Sequence, residues 1–355
     1  MDSLTIFNRL KQNRLIKDFG IDNDSINNIL QRWNEPHRHY HNLNHLFKLF
    51  DGIDEIENSH RIQDVDDMKE KLEVIALFHD VIYDPMSSSN EDDSADFFSR
   101  MVPDNGITLD IYKAILDTDY GKQREPTSEM SRIFRWLDWE LPLYGSSFYD
   151  LLVAEKQLLR ENQFVSYDVY KKKRVEFIEF AMEQASDDAN LEGLLELKVW
   201  VDNHRPKIGV YAGSFNPFHI GHLNVLEQAE RVFDKVIILS ARNDKKSKDK
   251  SFGDINYSLP FHEIVITDGL TTEYLKTVRE YADVTLVRGL RNGYDLQYES
   301  NLRRFMEEIG EVDVMYFLSG AVYQHISSSD IRGLYDLDQK AYHTYIPTKY
   351  DYHRK

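Results

Sequence analysis

A buried strand, a glycine-bearing turn and a helix start follow one another in the second half of the chain and constrain its fold most. The apolar run 207–212 predicts a buried strand, and apolar residues from Leu223 to Phe233 recur at helical spacing. Between them lies Gly-Ser-Phe-Asn-Pro-Phe-His-Ile-Gly-His, residues 213–222. Such a turn favours an anion, because free N–H groups and the helix dipole point into it.

The residue types of this turn suit a phosphate group. Glycine lets the backbone approach phosphate closely, and the two histidines beside Gly221 can donate hydrogen bonds to phosphoryl oxygens. His219-x-Gly221-His222 alone would equally suit an ordinary surface turn, but the preceding strand favours the functional interpretation. The predicted substrate-binding residues of this turn are Gly213, Ser214, Phe215, His219 and Gly221.

Apolar runs alternate with helical or loop segments beyond Pro206, which predicts a parallel sheet with helices on both faces. The runs are Ile208–Tyr211, Val236–Leu239, Glu263–Ile266, Val284–Val287 and Val314–Leu318. Residues up to about 200 have helical patterns, among them Pro36–Phe50 and Val65–Tyr83. We therefore predict an all-α domain over 1–200, a Rossmann-like α/β domain over 206–340 and a C-terminal tail over 341–355.

Composition excludes several classes of protein. A length of 355 residues predicts two domains, and 41% hydrophobic with 29% charged residues is typical of a soluble globular protein. The chain has no cysteine, so disulfides and thiolate metal ligands are excluded. The net charge of −18 argues against non-specific nucleic-acid binding. Neither a membrane-spanning run nor a signal peptide is visible, so we expect no membrane association and a cytoplasmic location.

Histidines and an aspartate in the first half have the spacing of metal ligands. His41 and His45 stand at i and i+4, which would place them one turn apart on one helix face. His79-Asp80 follows thirty-odd residues later and supplies two adjacent ligand types. Imidazole with carboxylate suits Mn, Fe, Co, Ni or Zn, and carboxylate with water also suits Mg. The nearby His37 and His39 we interpret as ordinary core or surface residues.

This pattern resembles the HD superfamily of metal-dependent phosphohydrolases. The segment Tyr-His-Asn-Leu-Asn-His, residues 40–45, is similar to the catalytic region of its cyclic-nucleotide phosphodiesterases. The resemblance implies that His45, His79 and Asp80 are metal ligands and that His41 donates a proton to the leaving oxygen. It also implies a last ligand on a later helix, for which Asp138 is our candidate. Asp117 and Asp119 compete, and spacing alone does not decide between them.

The turn at 213–222 resembles the signature of the nucleotidyltransferases that move AMP or CMP from a nucleoside triphosphate. The phosphopantetheine adenylyltransferases among them have Gly-Thr-Phe-Asp-Pro, so Ser214 keeps the hydroxyl and Asn216 replaces the acid. The resemblance implies that His222 stabilises the transition state. It also implies a catalytic lysine after the second strand. An ungapped count favours Lys246 over Lys245, although a lysine run is also typical of a solvated loop.

Two further segments support the same resemblance. Residues 287–299, Val-Arg-Gly-Leu-Arg-Asn-Gly-Tyr-Asp-Leu-Gln-Tyr-Glu, match the Arg-Gly-Leu-Arg…Asp…Tyr-Glu segment of the phosphopantetheine adenylyltransferases. The match implies that Arg288 binds the phosphate of phosphopantetheine and Arg291 the phosphates of ATP, with Gly289 and Glu299 also in the substrate site. The guanidinium fork suits phosphate oxygens.

The last segment, Ile-Ser-Ser-Ser-Asp-Ile-Arg at 326–332, predicts a serine-rich helix start that holds the triphosphate. The predicted contacts are Ser327, Ser328 and Ser329. Serine caps are common at helix starts in general, and this segment also resembles nicotinamide-mononucleotide adenylyltransferases.

These resemblances imply a bifunctional enzyme. The C-terminal reaction would join ATP, with Mg²⁺, to 4′-phosphopantetheine and give dephospho-CoA and pyrophosphate. The N-terminal domain would hydrolyse a phosphate ester with a divalent metal. Alternatives are nicotinamide mononucleotide as the acceptor, or a non-catalytic HD module that regulates the transferase. Relatives of the transferase are commonly oligomeric, so the resemblance also implies a homo-oligomer with small-molecule substrates.

Overall fold

The structure is a computed structural model and describes residues 3–59, 65–122, 126–241, 255–335 and 337–347. Contacts between residues divide the chain into two units. The first consists of Met1–Leu158 with Phe177–Lys198, and the second of Leu159–Glu176 with Val199–Lys355. The border therefore crosses three helices in the region 148–203, and the segment 159–176 belongs by its contacts to the unit that carries the sheet.

The predicted all-α architecture of the first two hundred residues is confirmed. A short 3₁₀ turn, Tyr120–Lys122, and a π-helical turn, Trp136–Glu140, interrupt the series of α-helices. The helices are α1 Ser3–Leu10, α2 Arg14–Asp18, α3 Asn23–Arg32, α4 Leu43–Ser59, α5 Val65–Phe78, α6 Asn90–Met101, α7 Gly106–Leu116, α8 Glu129–Arg135, α9 Leu141–Tyr144, α10 Phe148–Glu161, α11 Tyr167–Glu183 and α12 Glu192–Asn203. No helix in the described part of the chain is long and apolar enough to cross a membrane.

The core of the first unit is built from large side chains of α3 to α8. Trp33, Phe50, Phe78, Phe98 and Phe134 are almost completely buried there. The indole N–H of Trp33 is satisfied inside this core, because it donates to the carbonyl of Leu77 over 2.9 Å. Dense packing of this kind holds the end of α5, directly before His79 and Asp80, in a fixed position.

The prediction of a helix over Pro36–Phe50 is wrong for its first seven residues. Asn42 ends the irregular segment, because its side chain accepts from the backbone N–H of Asn44 at 2.8 Å and donates to the carbonyl of His39 at 2.6 Å. The carbonyl of Asn42 then accepts from Leu46 at 3.1 Å and begins α4. Asparagine commonly competes with helical backbone bonds in this way. His41 therefore does not share a helix face with His45.

The predicted helix over Val65–Tyr83 ends early, at Phe78. The guanidinium of Arg38 donates to the carbonyls of Asp80 at 2.7 Å and Val81 at 3.1 Å, so these oxygens do not continue the helical ladder. The hydroxyl of Ser94 bonds both backbone groups of Ile82, at 3.1 and 3.2 Å. These contacts turn the chain after Asp80 and fix the orientation of the His-Asp pair.

The second unit contains the predicted parallel sheet, and the Rossmann-like fold is confirmed. All five strands are parallel, in the order β3-β2-β1-β4-β5. The elements are β1 Lys207–Gly213, α13 Ile220–Glu230, β2 Lys235–Ala241, α14 Ile255–Ser258, β3 Ile264–Thr267, α15 Thr271–Arg279, β4 Asp283–Leu290, α16 Gly293–Ile309, β5 Val314–Leu318, α17 Ser328–Tyr335 and α18 Gln339–Tyr345.

Both faces of the sheet are covered by apolar side chains. Val210 of β1 packs on one face with Leu275 and Val278 of α15, and Tyr211 packs on the other with Leu226 of α13. Strands that are buried on both faces consist of continuous apolar residues, so their positions could be predicted from the sequence.

The predicted boundary between domain and tail at residue 340 falls inside α18. Tyr342 of that helix is buried in a small cluster with Ile326 and Ile331, so this part of the predicted tail packs against the middle of α17 and the segment before it. Residues 348–355 lie outside the described residues.

A buried lysine joins the segment 159–176 to the sheet. Lys235 begins β2 and is 1% exposed. Its ammonium group donates to the carbonyls of Gln163 at 2.5 Å and Val165 at 2.8 Å, and it lies 3.1 Å from the carboxylate of Glu263. The side chain of Gln163 also accepts from the backbone of Val236 at 3.1 Å. Burial lowers the pKa of Lys235, against the effect of the neighbouring Glu263.

We expect Lys235→Met to lower the free energy of unfolding by about 3 kcal/mol, because it leaves a partly buried carboxylate without its cation and two carbonyls without their donor. Urea unfolding of the full chain measures the change. The matched control is Lys172→Met, which removes an exposed ion pair with Glu176 and should cost less than about 1 kcal/mol. Equal stability of the two variants would contradict the proposed importance of this contact.

Candidate active site and candidate metal centre

A cavity of about 350 Å³ opens at the carboxyl ends of β1 and β4. The strand order reverses between these two strands, and in open α/β sheets ligands bind at such a switch point. The turn after β1 and the start of α13 form one side of the cavity, and the end of β4, the start of α16 and the start of α17 contribute the others. The sequence segments that were predicted to act together therefore meet at one edge of the sheet.

His219 and His222 cap α13 reciprocally. The backbone N–H of His222 donates to Nδ1 of His219, and the backbone N–H of His219 donates to Nδ1 of His222, both over 3.3 Å. The two rings are stacked, with centroids 3.6 Å apart and planes inclined by 19°. Because both Nδ1 atoms accept, the proton of each neutral ring is carried by Nε2.

Both histidines are held neutral. Burial and the nearby Arg291 lower the pKa of His219 to about 4. Burial, with the charges of His219, Arg291 and Arg288, holds the pKa of His222 well below 6.5. Neutral imidazoles with the proton on Nε2 can donate hydrogen bonds to an anion near neutral pH, and they need no proton transfer to do so.

A Cβ would be crowded at two glycines of this turn. A Cβ on Gly213 would lie 2.8 Å from the ring of Phe215, and one on Gly221 would lie 3.1 Å from the ring of His219. Phe215 itself has φ +40°, in the left-handed region that costs a phenylalanine about 1–3 kcal/mol. Its ring is buried and meets the ring of His222 edge-on, with centroids 5.1 Å apart. The strained turn thus supports the position of the capping histidines.

Two arginines line the cavity, each paired with an acid of α16. Arg288 binds Glu299 through two contacts of 2.7 and 2.5 Å and donates to the carbonyl of Ala212 at 2.5 Å. Arg291 binds Asp295 through contacts of 3.0 and 3.1 Å. The guanidinium of Arg291 holds the pKa of Asp295 below its usual value. Both cations are therefore oriented before any phosphate arrives.

The serine segment connects the start of α17 to the histidine turn. Ser328 donates to the carbonyl of Pro217 at 3.1 Å, and Arg332 donates to the carbonyl of Asn216 at 2.6 Å. Ser327 donates to Asp330 at 2.5 Å, and Ser329 accepts from Arg332 at 3.0 Å. The hydroxyl groups thus have protein partners in this structure.

Most of the predicted substrate-site residues line the cavity. They are Gly213, Phe215, His219, Gly221, His222, Arg288, Gly289, Arg291, Glu299, Ser327 and Ser328. Ser214 and Ser329 are exposed and do not belong to its lining. Lys245 and Lys246 lie outside the described residues. Tyr298, which belongs to the matched segment 287–299, also lines the cavity. Tyr211 and Tyr323 line it as well, although no local motif singled them out.

Comparison with known proteins agrees with this geometry. Residues 210–334 match the cytidylyltransferase-like family. Phosphopantetheine adenylyltransferase of Streptococcus sanguinis is 37% identical over 142 residues, which are 38% of this chain and 85% of that protein. This chain belongs to the phosphopantetheine adenylyltransferase family. The similarity lies in its C-terminal domain, which is a nucleotidyltransferase domain.

Two other members of the family show the same extent of similarity. The phosphopantetheine adenylyltransferase of Geotalea daltonii is 31% identical over 137 residues, 37% of this chain and 85% of that protein. That of Mycoplasma capricolum is 34% identical over 135 residues, 36% of this chain and 94% of that protein. Nearly the whole length of each relative thus corresponds to the adenylyltransferase domain of this chain.

The first unit holds a cluster of His45, His79 and Asp80, whose ligand atoms all lie within 4.8 Å of one another. Asp138 joins them, with one carboxylate oxygen 3.1 Å from Nε2 of His45 and 3.8 Å from Nε2 of His79. Two imidazoles and two carboxylates from three separate segments therefore converge on one point, which is a donor set suited to a divalent metal.

The surroundings of His79 fit a metal ligand. Its Nδ1 lies 3.0 Å from the carbonyl of Ala76, which fixes the ring and directs Nε2 into the cluster. Nε2 lies 3.1 Å from an oxygen of Asp80, yet within the described residues no group is aligned to hydrogen-bond it. Burial opposes protonation, but Asp80 and Asp138 outweigh it and raise the pKa of His79 to about 9. The cluster thus concentrates negative charge that a cation would balance.

The structure also separates two of the three aspartates that spacing left open. Asp138 lies in the π-helical turn Trp136–Glu140 and faces His45 and His79. Asp117 instead accepts from the backbone N–H and the hydroxyl of Thr127, at 2.9 and 2.7 Å. Turns of π-helical geometry are frequent at functional sites.

His41 approaches the cluster although it is not on α4. Its ring centroid lies 6.0 Å from that of His45 and 4.5 Å from that of Tyr83. The sequence analysis missed Arg38, a buried cation that donates to the carbonyls of His41 and Asp80 at 3.3 and 2.7 Å. It joins the irregular histidine segment to the His-Asp turn, a contact over more than forty residues of sequence that no local pattern reports.

Proposed function

We propose that the C-terminal domain transfers AMP from ATP to 4′-phosphopantetheine, and that MgATP is its nucleotide substrate. A phosphate oxygen of the acceptor attacks the α-phosphorus, a new P–O bond forms, and the bond between the α-phosphorus and the bridging oxygen breaks. The products are dephospho-CoA and pyrophosphate. No protein nucleophile is needed, so catalysis consists of positioning and of stabilising negative charge.

The observation that carries this proposal is the reciprocal cap of His219 and His222. It gives two neutral N–H donors, oriented by the backbone, at a helix N-terminus in a cavity that also contains Arg288 and Arg291. Such a set can stabilise charge on phosphoryl oxygens without a change of protonation. The names of the relatives support phosphopantetheine as the acceptor.

We assign His222 to transition-state stabilisation and Arg291 to the ATP phosphates. Arg288 binds the acceptor phosphate, and Glu299 orients Arg288 through its two contacts. The start of α17 holds the triphosphate. Either its serine hydroxyls leave their present protein partners and bind the phosphate oxygens, or its backbone N–H groups bind them instead. A catalytic role of Lys246 stays a prediction.

We expect Arg288→Ala to raise KM for phosphopantetheine at least tenfold and to change KM for ATP much less, because the lost guanidinium faces the acceptor. Steady-state kinetics with each substrate varied in turn measures both constants. Arg303→Ala is the matched control, since it removes another arginine–glutamate pair of α16, with Glu307, that does not line the cavity. Equal changes in the two KM values would contradict the assignment.

Nicotinamide mononucleotide is the second candidate acceptor. It is favoured by the presence of both histidines in the turn and by the Ser-Ser-Ser-Asp-Ile-Arg segment. We give more weight to residues 287–299, because serine caps and His-x-Gly-His occur more widely than this longer segment.

For the first unit we propose a metal-dependent phosphohydrolase centre of the HD type. His45, His79, Asp80 and Asp138 would hold the metal, and His41 would donate a proton to the leaving oxygen. A bound divalent metal supplies Lewis acidity toward a phosphoryl oxygen and a hydroxide near neutral pH. The convergence of Asp138 on His45 and His79 supports this proposal over a non-catalytic module, because an incomplete set of ligands would have favoured the module.

The test is a screen of the full-length protein for phosphate release from nucleotides and CoA precursors. Asp80→Asn disables the proposed metal centre, and His222→Ala disables the adenylyltransferase site. Each activity found in the screen can therefore be assigned to one of the two sites. Activity that survives Asp80→Asn would contradict hydrolysis at the proposed centre.

The domain limits 1–200 and 206–340, the cytoplasmic location and a homo-oligomeric state stay predictions.

A further inference from the structure

We propose that Tyr120 is a positioning residue of the metal centre, because its hydroxyl donates to one oxygen of Asp138 and favours the other oxygen as the metal ligand. This inference rests on the proposed metal binding of the first unit. Tyr120 is not one of the proposed ligands, and no sequence motif marks the turn in which it lies.

The geometry divides the two oxygens of Asp138 between two tasks. Oδ2 accepts the hydroxyl proton of Tyr120 over 2.9 Å. Oδ1 is the oxygen that lies 3.1 Å from His45 and 3.8 Å from His79. The carboxylate therefore points one oxygen into the cluster and the other away from it.

Tyr120 is itself held in place by the elements around Asp138. Its ring lies 4.9 Å from that of Trp139, and the guanidinium of Arg135 lies 5.9 Å from its centre. Trp139 belongs to the same π-helical turn as Asp138, and Arg135 ends the preceding helix. The hydroxyl is thus fixed relative to the carboxylate by contacts on two sides.

The chemical consequence concerns how Asp138 binds a cation. A carboxylate can bind a metal through one oxygen or through both. A neutral hydroxyl that donates to one carboxylate oxygen favours metal binding through the other oxygen. Because the hydroxyl is neutral, the carboxylate keeps its negative charge. Partners of this kind orient metal ligands, and their loss typically weakens metal binding about 10- to 100-fold.

The experiment compares Co²⁺ binding by the full-length parent and by Tyr120→Phe, by competition with a chelator and by visible absorption. We expect Tyr120→Phe to bind Co²⁺ about 10- to 100-fold more weakly, with an altered spectrum because Asp138 can then offer both oxygens. Tyr112→Phe is the matched control: Tyr112 donates to Asp96 at 3.1 Å in the same unit, outside the cluster.

The possible outcomes separate this inference from the function on which it rests. A parent protein that does not bind Co²⁺ would overturn the metal centre itself. A parent that binds, with Tyr120→Phe equal to it in affinity or in spectrum, would overturn the role of Tyr120 alone. An equal loss in Tyr112→Phe would also overturn it, because the effect would then be general. Weaker binding and a changed spectrum in Tyr120→Phe only would support it.

Discussion

We expect His222→Ala to lower the rate of adenylyl transfer about a hundredfold or more while the fold and ATP binding are largely kept. The variant removes one N–H donor aimed at a phosphoryl group and also one half of the reciprocal cap. Loss of a single oriented donor at a developing charge typically costs 10²- to 10³-fold in turnover. Turnover is measured at saturating substrates, and ATP binding is measured separately by calorimetry.

His343→Ala, on α18, is the matched control and should keep the parent's rate, since His343 does not line the cavity. The pH dependence gives an independent check. Because the pKa of His219 is lowered to about 4 and that of His222 lies well below 6.5, both rings are neutral at pH 6.5 and above. The rate should therefore show no histidine step near pH 6.5. Turnover of His222→Ala within a few-fold of the parent would contradict its role.

The second large effect concerns metal content. We expect the parent protein to retain a divalent metal through purification and the double variant His79→Ala, Asp80→Ala to lose it. The change removes two of four converging ligands, including the nitrogen that no described group is aligned to hydrogen-bond. Elemental analysis of the full-length protein measures the bound metal per chain.

Asp138→Ala and Asp117→Ala make a sharp pair of controls for this experiment, because sequence spacing did not separate the two aspartates. Asp138→Ala should lower metal content, whereas Asp117→Ala should keep it, since Asp117 bonds Thr127 instead. Metal content unchanged in the double variant would mean that the ligands lie elsewhere.

The parts of this molecule that could be predicted from sequence depend on local patterns. The central strands β1 and β2 were located because strands buried on both faces are apolar runs. The edge strand Val314–Leu318 also has the predicted limits, although its side chains are half-buried or exposed. The turn after β1 was recognised because its glycines and histidines act within a few residues of one another. Local periodicity alone, however, extended a helix through residues 36–42, where the side-chain bonds of Asn42 prevail.

What the sequence could not predict depends on contacts between distant segments. Arg38 and Tyr120 act on residues that lie 42 and 18 positions away. The tautomers of His219 and His222 follow from a reciprocal cap that only the three-dimensional geometry reveals. The membership of residues 159–176 in the second unit likewise reflects contacts between distant segments, among them those of Lys235, whose partners lie about seventy residues earlier.

The most direct test of the account is a comparison of kcat/KM for the two acceptors with the full-length protein and MgATP. We predict that 4′-phosphopantetheine is used with the higher kcat/KM and that pyrophosphate and dephospho-CoA form in equal amounts. A higher kcat/KM with nicotinamide mononucleotide would contradict the proposed acceptor and assign the domain to the other branch of the superfamily.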